Sequence, residues 1–119
     1  IRTVEVASGI TNLPDFAFFG CSALETVSFA EGSRLTTIGG STFNGCTSLK
    51  ELTLPQGVKT IYGNAFRGCS SLTSVYLPDT VSYITGGAFR DCGKVVLSVA
   101  RDSYAKQYAI SNGIAYVER

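Results

Sequence analysis

The chain has no histidine, no methionine and no tryptophan among its 119 residues, and only three prolines. The missing histidine excludes His-based triads, imidazole metal ligands and the commonest general base. Acid–base work is left to nine carboxylates, and no pair of them recurs at a spacing that suggests a site. Carboxylate-rich calcium loops are missing, and the glycines do not bunch ahead of a helix as a phosphate-binding loop requires. There is no Asn-x-Ser/Thr sequon. Charge of one sign is also lacking. The formal net charge is +1, and Arg67 and Arg90 stand apart, so capture of nucleic acid is poorly supported. No apolar run is long enough for a membrane-spanning helix. The expectation is a chain without catalytic residues, cofactor, metal, nucleic-acid partner or membrane-inserted segment. Its opening residues, Ile1 to Val6, read as a strand and not as a signal peptide, so a segment of a longer protein is expected.

What the chain does have is a repeat. Apolar residues make up 45% of it, enough for a core. The phrase Phe-x-Gly-Cys-x-x-Leu starts at Phe18, Phe43 and Phe66 and returns in degraded form at Phe89, at spacings of 25, 23 and 23. Cys21, Cys46, Cys69 and Cys92 keep that spacing, as do Leu13, Ile38, Ile61 and Ile84. A strand signal follows each phrase. Leu24, Val27 and Phe29 recur as Leu49, Leu52 and Leu54 and as Leu72, Val75 and Leu77, with the last two positions alternating as a half-buried strand needs. The units fall at 1–23, 24–48, 49–71 and 72–94. The second is longer by two residues, placed around Ser33 and read as a surface-turn insertion.

A unit of 23 residues cannot bury its apolar positions alone. Stacking the units puts Leu on Leu, Phe on Phe and Cys on Cys, and each buried aliphatic or Phe contributes about 1.5–3 kcal/mol. The fold class that follows is a β-rich, right-handed solenoid with a parallel sheet. Gly40, Gly63 and Gly86 recur after the Ile column. Gly20, Gly45 and Gly68, with Asp91 in the fourth unit, recur before Cys. Both glycine columns suggest turns of positive φ. Pro55 and Pro78 end the strands they follow.

After Cys92 the repeat decays. Residues 95–119 read as a closing segment: a strand with Leu97 and Val99 inward, then a short helix capped by Asp102 or Ser103. Tyr104 with Tyr108 and Ala105 with Ala109 mark one face of that helix, Gly113 stands at its end, and a last strand starts from Ile114. A solenoid needs such a cover over its open end. The cysteines leave three readings: a ladder of small buried thiols, disulfides between adjacent coils, or metal and redox chemistry. Spacings of 23–25 do not supply the close pairs a metal site wants.

The run Ala65-Phe66, Cys69, Leu72, Val75, Leu77, Pro78 resembles the BspA-like leucine-rich repeat family, and the likeness covers nearly the whole chain. It departs at Ala7 and Ala30, where the family usually has Pro, and at the insertion around Ser33. The resemblance implies a bacterial protein at the cell surface or outside the cell. It also implies protein partners, such as host matrix or serum proteins or another microbial surface protein, docked on the sheet face. Tyr62, Tyr76 and Tyr83 break the small or polar character of their columns, and Tyr76 is expected to face outward. The candidate face is therefore Thr3, Thr26, Glu51 and Ser74 with Glu5, Ser28, Thr53 and Tyr76. Two other roles compete with adhesion: a structural spacer presenting another domain, and an accessory domain of a surface carbohydrate-active enzyme. The absence of Trp weighs against the second.

Overall fold

A computed structural model describes all residues, 1–119. The chain coils between two sides. One side carries β1 (Thr3–Val6), β3 (Thr26–Phe29), β5 (Glu51–Thr53), β7 (Ser74–Tyr76), β9 (Val96–Val99) and β10 (Ala115–Glu118). The other carries the two-residue strands β2 (Asn12–Leu13), β4 (Thr37–Ile38), β6 (Thr60–Ile61) and β8 (Tyr83–Ile84). A single helix, α1 (Tyr104–Ser111), precedes β10. Every strand pair is parallel, and partners are repeat equivalents: Thr3 with Thr26, Glu51 with Ser74, Ile38 with Ile61. This is a β-solenoid in which each turn of chain lies on the turn before it.

The interior is a set of files running along the stack. Leu24, Leu49 and Leu72 are fully buried, as are Ile38 and Ile61. The Phe file is the clearest. Phe18, Phe43, Phe66 and Phe89 stack with ring centroids 5.5, 5.4 and 5.1 Å apart and planes within 12° of parallel. That side is also latched by the backbone. The amides of Phe18, Phe43 and Phe66 each donate to a carbonyl of the following coil (Thr42, Ala65 and Ala88) at 2.8 Å. Thr42 is a buried hydroxyl in a column otherwise held by alanine. It is satisfied by donating to the carbonyl of Gly39 at 2.7 Å.

The two glycine columns have different causes. Gly20, Gly45, Gly68 and Asp91 all have positive φ, between 61° and 81°, as expected. Gly40, Gly63 and Gly86 do not. The left-handed residue is the next one along, Phe16, Ser41, Asn64 and Gly87. At 40 and 63 the glycine before it lies where adjacent coils come close, whereas a Cβ at Gly86 would meet open space. A Cβ on Gly63 would lie 3.3 Å from the Thr85 hydroxyl and 3.4 Å from the Gly86 carbonyl.

The closing segment forms as its local chemistry dictates. The Ser103 hydroxyl caps α1 by accepting from the Lys106 amide at 3.1 Å, and it donates to the Ala100 carbonyl at 2.6 Å. Ala105, Tyr108 and Ala109 are buried, and the Tyr108 ring ends the aromatic file against Phe89 at 6.3 Å. Tyr104 does not share that burial. It stays exposed, with its hydroxyl accepting from the Ile84 amide at 3.1 Å.

The sheet that carries the candidate face is not continuous. Its strands form one group ordered β1-β3 and another ordered β10-β9-β7-β5, with no ladder between β3 and β5. The short-strand sheet runs unbroken from β2 to β8. The break follows the one coil that is two residues too long.

Phe66 is fully buried and stacked on both sides. Phe66→Ala is expected to cost about 3–5 kcal/mol in urea unfolding. Phe18→Ala, at the half-buried end of the file, is expected to cost clearly less. Equal losses at the two positions would contradict a core built as a file.

Candidate binding face

The strands sort their side chains by alternation. Val27, Leu52 and Val75 point inward and are buried. The residues on either side of each point outward. Thr3, Glu5, Thr26, Ser28, Glu51, Thr53 and Ser74 are all exposed, and Tyr76 is half-buried. Register brings them together in two blocks. On β1 and β3, Thr3 pairs with Thr26 and Glu5 with Ser28. On β5 and β7, Glu51 pairs with Ser74 and Thr53 with Tyr76. The β3–β5 break separates the blocks, so the face is two flat plates and not one.

Tyr76 is oriented outward as expected but is not free. The guanidinium of Arg119 lies 3.8 Å from its ring centroid. Arg119 is held there by donating to the carbonyls of Ser98 and Leu77, each at 2.7 Å. The closing segment thus reaches back over the face, and the largest side chain on it is already engaged in a cation–π contact. Tyr62 and Tyr83, the other two tyrosines out of pattern, lie elsewhere: Tyr83 is exposed on the short-strand side and Tyr62 follows β6.

Between the two plates lies a cleft of about 700 Å³, with Thr26 to Phe29 on one wall and Glu51 to Thr53 on the other. Glu25 stands at its edge, paired with Arg2 at 3.1 Å. Lys50 and Glu51 also line it, and neither makes an ion pair. The spacing of the second coil, read as a tolerated surface insertion, was the only trace of this cleft in the sequence. Two exposed phenylalanines are a further departure. Phe16 and Phe19 touch edge to face at 5.6 Å, in columns that the later coils fill with Ser41, Asn64 and Gly87 and with Asn44, Arg67 and Arg90.

The four cysteines are free thiols in a ladder. Cys46 donates to the Phe18 carbonyl at 3.3 Å, Cys69 to Phe43 at 3.2 Å and Cys92 to Phe66 at 2.8 Å, each reaching into the preceding coil. Cys21 has only partial cover. Burial and the neighbouring Cys21 push the Cys46 thiol up to about 11. Contact with the Cys92 thiol and burial raise Cys69 as well. Such groups stay protonated and unreactive. No three side chains of His, Cys, Asp or Glu converge as metal ligands would.

Comparison with known proteins agrees with this geometry. The family model for the BspA type leucine rich repeat region matches residues 1–112 in six copies. Among solved structures, a leucine-rich repeat protein from Bacteroides ovatus ATCC 8483 is 28% identical, with a TM-score of 0.79 over 97% of this chain and 30% of that one. The leucine-rich repeat protein of T. pallidum is 29% identical, with a TM-score of 0.61 over 82% of this chain and 58% of that one. The chain therefore spans less than two thirds of either relative. A search of the curated proteins finds no match.

Titration of the native protein with a thiol reagent near neutral pH is expected to modify Cys21 first and to leave Cys46 and Cys69 protected until unfolding. Four fast thiols would contradict the ladder. The raised Cys46 value also sets a pH dependence. The folded state keeps its proton where the unfolded thiol, near 9.0, loses it. The resulting stabilisation is complete below pH 9.0 and is lost as pH rises through about 11, which unfolding midpoints across that window would register.

Proposed function

The chain belongs to the BspA-type leucine-rich repeat family, and from that premise we propose that it is a non-catalytic, protein-binding module of a bacterial surface or secreted protein. Partners dock reversibly on the outer face of the main sheet. Residues 1–94 act as the working array in four units, 1–23, 24–48, 49–71 and 72–94, and residues 95–119 close it.

The observation that carries this reading is the pair of exposed plates. Thr3, Glu5, Thr26 and Ser28 form one, and Glu51, Thr53, Ser74 and Tyr76 the other, all fixed in position by parallel ladders. The ladders fix the strand backbone, so a partner need not order the main chain on binding, and less affinity is lost to entropy. Their chemistry is small, polar and hydrogen-bonding, with carboxylates at Glu5 and Glu51. Host matrix proteins, serum proteins and other microbial surface proteins are the partner classes this suits.

One observation favours the alternative of a structural spacer. Arg119 covers Tyr76, the one aromatic on the face, and so reduces the apolar area offered to a partner.

A panel of purified host matrix and serum proteins, immobilised and probed with this chain, separates the two. The binding reading expects at least one saturable partner. The double variant Thr3→Arg, Ser74→Arg should then weaken binding at least tenfold with an unchanged melting temperature, because both side chains are exposed. Absence of any partner, or binding indifferent to both arginines, would favour the spacer.

A further inference from the structure

The break between β3 and β5 is not a general parting of two coils. On their other sides the same coils are latched. Thr37 pairs with Thr60, the Phe43 and Phe66 rings stack at 5.4 Å, and the Cys69 thiol reaches the Phe43 carbonyl at 3.2 Å. Only the main-sheet side is open. It opens at the coil that carries the two extra residues and that places Phe29 in a file otherwise held by Val6, Leu54 and Leu77. Phe29 is half-buried, whereas both leucines are buried.

Strand alternation identifies the backbone groups left over. The amides of Thr26 and Ala30 donate to the carbonyls of Arg2 and Val6, at 3.2 and 2.9 Å. Even-numbered amides of β3 therefore face β1, and those of Val27 and Phe29 face the break. On β5 the Leu54 amide donates to the Tyr76 carbonyl at 3.2 Å, so the amides of Glu51 and Thr53 point back across the break. The adjoining carbonyls alternate with them. Two rows of backbone donors and acceptors thus look at each other across a cleft of about 700 Å³ without forming a ladder. Such groups require partners. In the isolated chain, solvent is the partner at hand.

We propose that this cleft captures an extended segment of a partner polypeptide, whose main chain supplies the hydrogen bonds missing at Val27, Phe29, Glu51 and Thr53. Recognition is by strand addition, with two edges offered instead of one. Lys50 and Glu51, both without an ion pair, meet side chains of opposite charge on the entering segment. Parts of β3 and β5 still lie within 8 Å of each other. A strand between two others needs twice the ladder spacing of about 4.7–4.9 Å. Entry must therefore widen the mouth, on the one side of these coils where no ladder resists. This inference rests on the protein-binding reading and names the kind of partner segment it uses.

The test uses a phage-displayed library of random linear peptides, panned on the whole 119-residue chain. A selected peptide is then synthesised and titrated while amide hydrogen exchange is followed. The expected result is slowed exchange, by tenfold or more, at Val27, Phe29, Glu51 and Thr53. Deleting Ser33 and Arg34 restores the regular spacing, and should close the cleft and abolish peptide binding. Should that deletion fail to fold, Glu51→Pro serves instead. It removes one cleft-facing amide at the first residue of β5, where the ladder to β7 does not use it. It should weaken the peptide about tenfold, while Glu51→Gln isolates any contribution of charge. Failure to select any peptide, protection of other amides, or binding equal in wild type and both backbone variants would overturn the proposal. Peptides lost on Thr3→Arg, Ser74→Arg but retained by the backbone variants would keep the outer face as a binding surface and eliminate the cleft.

Discussion

The fold depends on one constraint: each coil must have the same length as its neighbour, so that equivalent residues meet. The Phe file expresses it directly, because rings about 5 Å apart and nearly parallel require equivalent backbone positions in successive coils. The same register sets the thiol ladder, since each thiol reaches the carbonyl of a Phe in the coil before it. It sets both sheets, whose partners from β1 to β8 are repeat equivalents. It also brings adjacent coils close at Gly63, where an added Cβ would lie 3.3 Å from the Thr85 hydroxyl. No single contact of this kind is strong. Each is one of a series, and loss of register would remove the series together.

The chain violates that constraint once, and the consequence is local. Two extra residues in the second coil leave the aromatic side and the short-strand sheet intact, because the insertion lies beyond β3 and before β4. Only the strand just before it, β3, fails to pair forward with its neighbour. A globular core would have to spread such a strain through all its packing. A solenoid confines it to one interface, since each unit touches only the units beside it. The insertion is therefore tolerated and also shapes the surface, dividing a flat sheet into two plates around a polar cleft.

Most of the interior was legible in the sequence for a simple reason. Inward columns admit few residue types, so Phe18, Phe43, Phe66 and Phe89 announce their own alignment. The Ser103 cap was legible because its chemistry is local, acting within one turn of helix. What escaped was whatever depends on residues outside the period. Arg119 meets Tyr76 only because β10 is carried back beside β9, and nothing in either residue's neighbourhood signals the other. The β3–β5 break escaped because an insertion in a turn looks harmless when each coil is read by itself; its effect belongs to the contact between coils. The glycines at 40, 63 and 86 were misread for a related cause. The positive φ falls one residue later, and at 40 and 63 the glycine lies close against the adjacent coil.

These departures from the repeat bear on where function resides. A residue that keeps the period is explained by stacking and needs no other account. On the main sheet the residues left unexplained by stacking are the outward Thr, Ser and Glu positions, Tyr76 with its arginine, Phe29 in an aliphatic file and the two extra residues after it. They are not scattered. The insertion and Phe29 both lie in the second coil, on the side facing the third, and Tyr76 lies on the strand after β5, beside Thr53. Phe16 and Phe19 show that other sides of this chain do vary. The main sheet combines such a change with unpaired backbone on β3 and β5 and with Lys50 and Glu51, which make no ion pair, and those are features a second polypeptide is chemically equipped to satisfy.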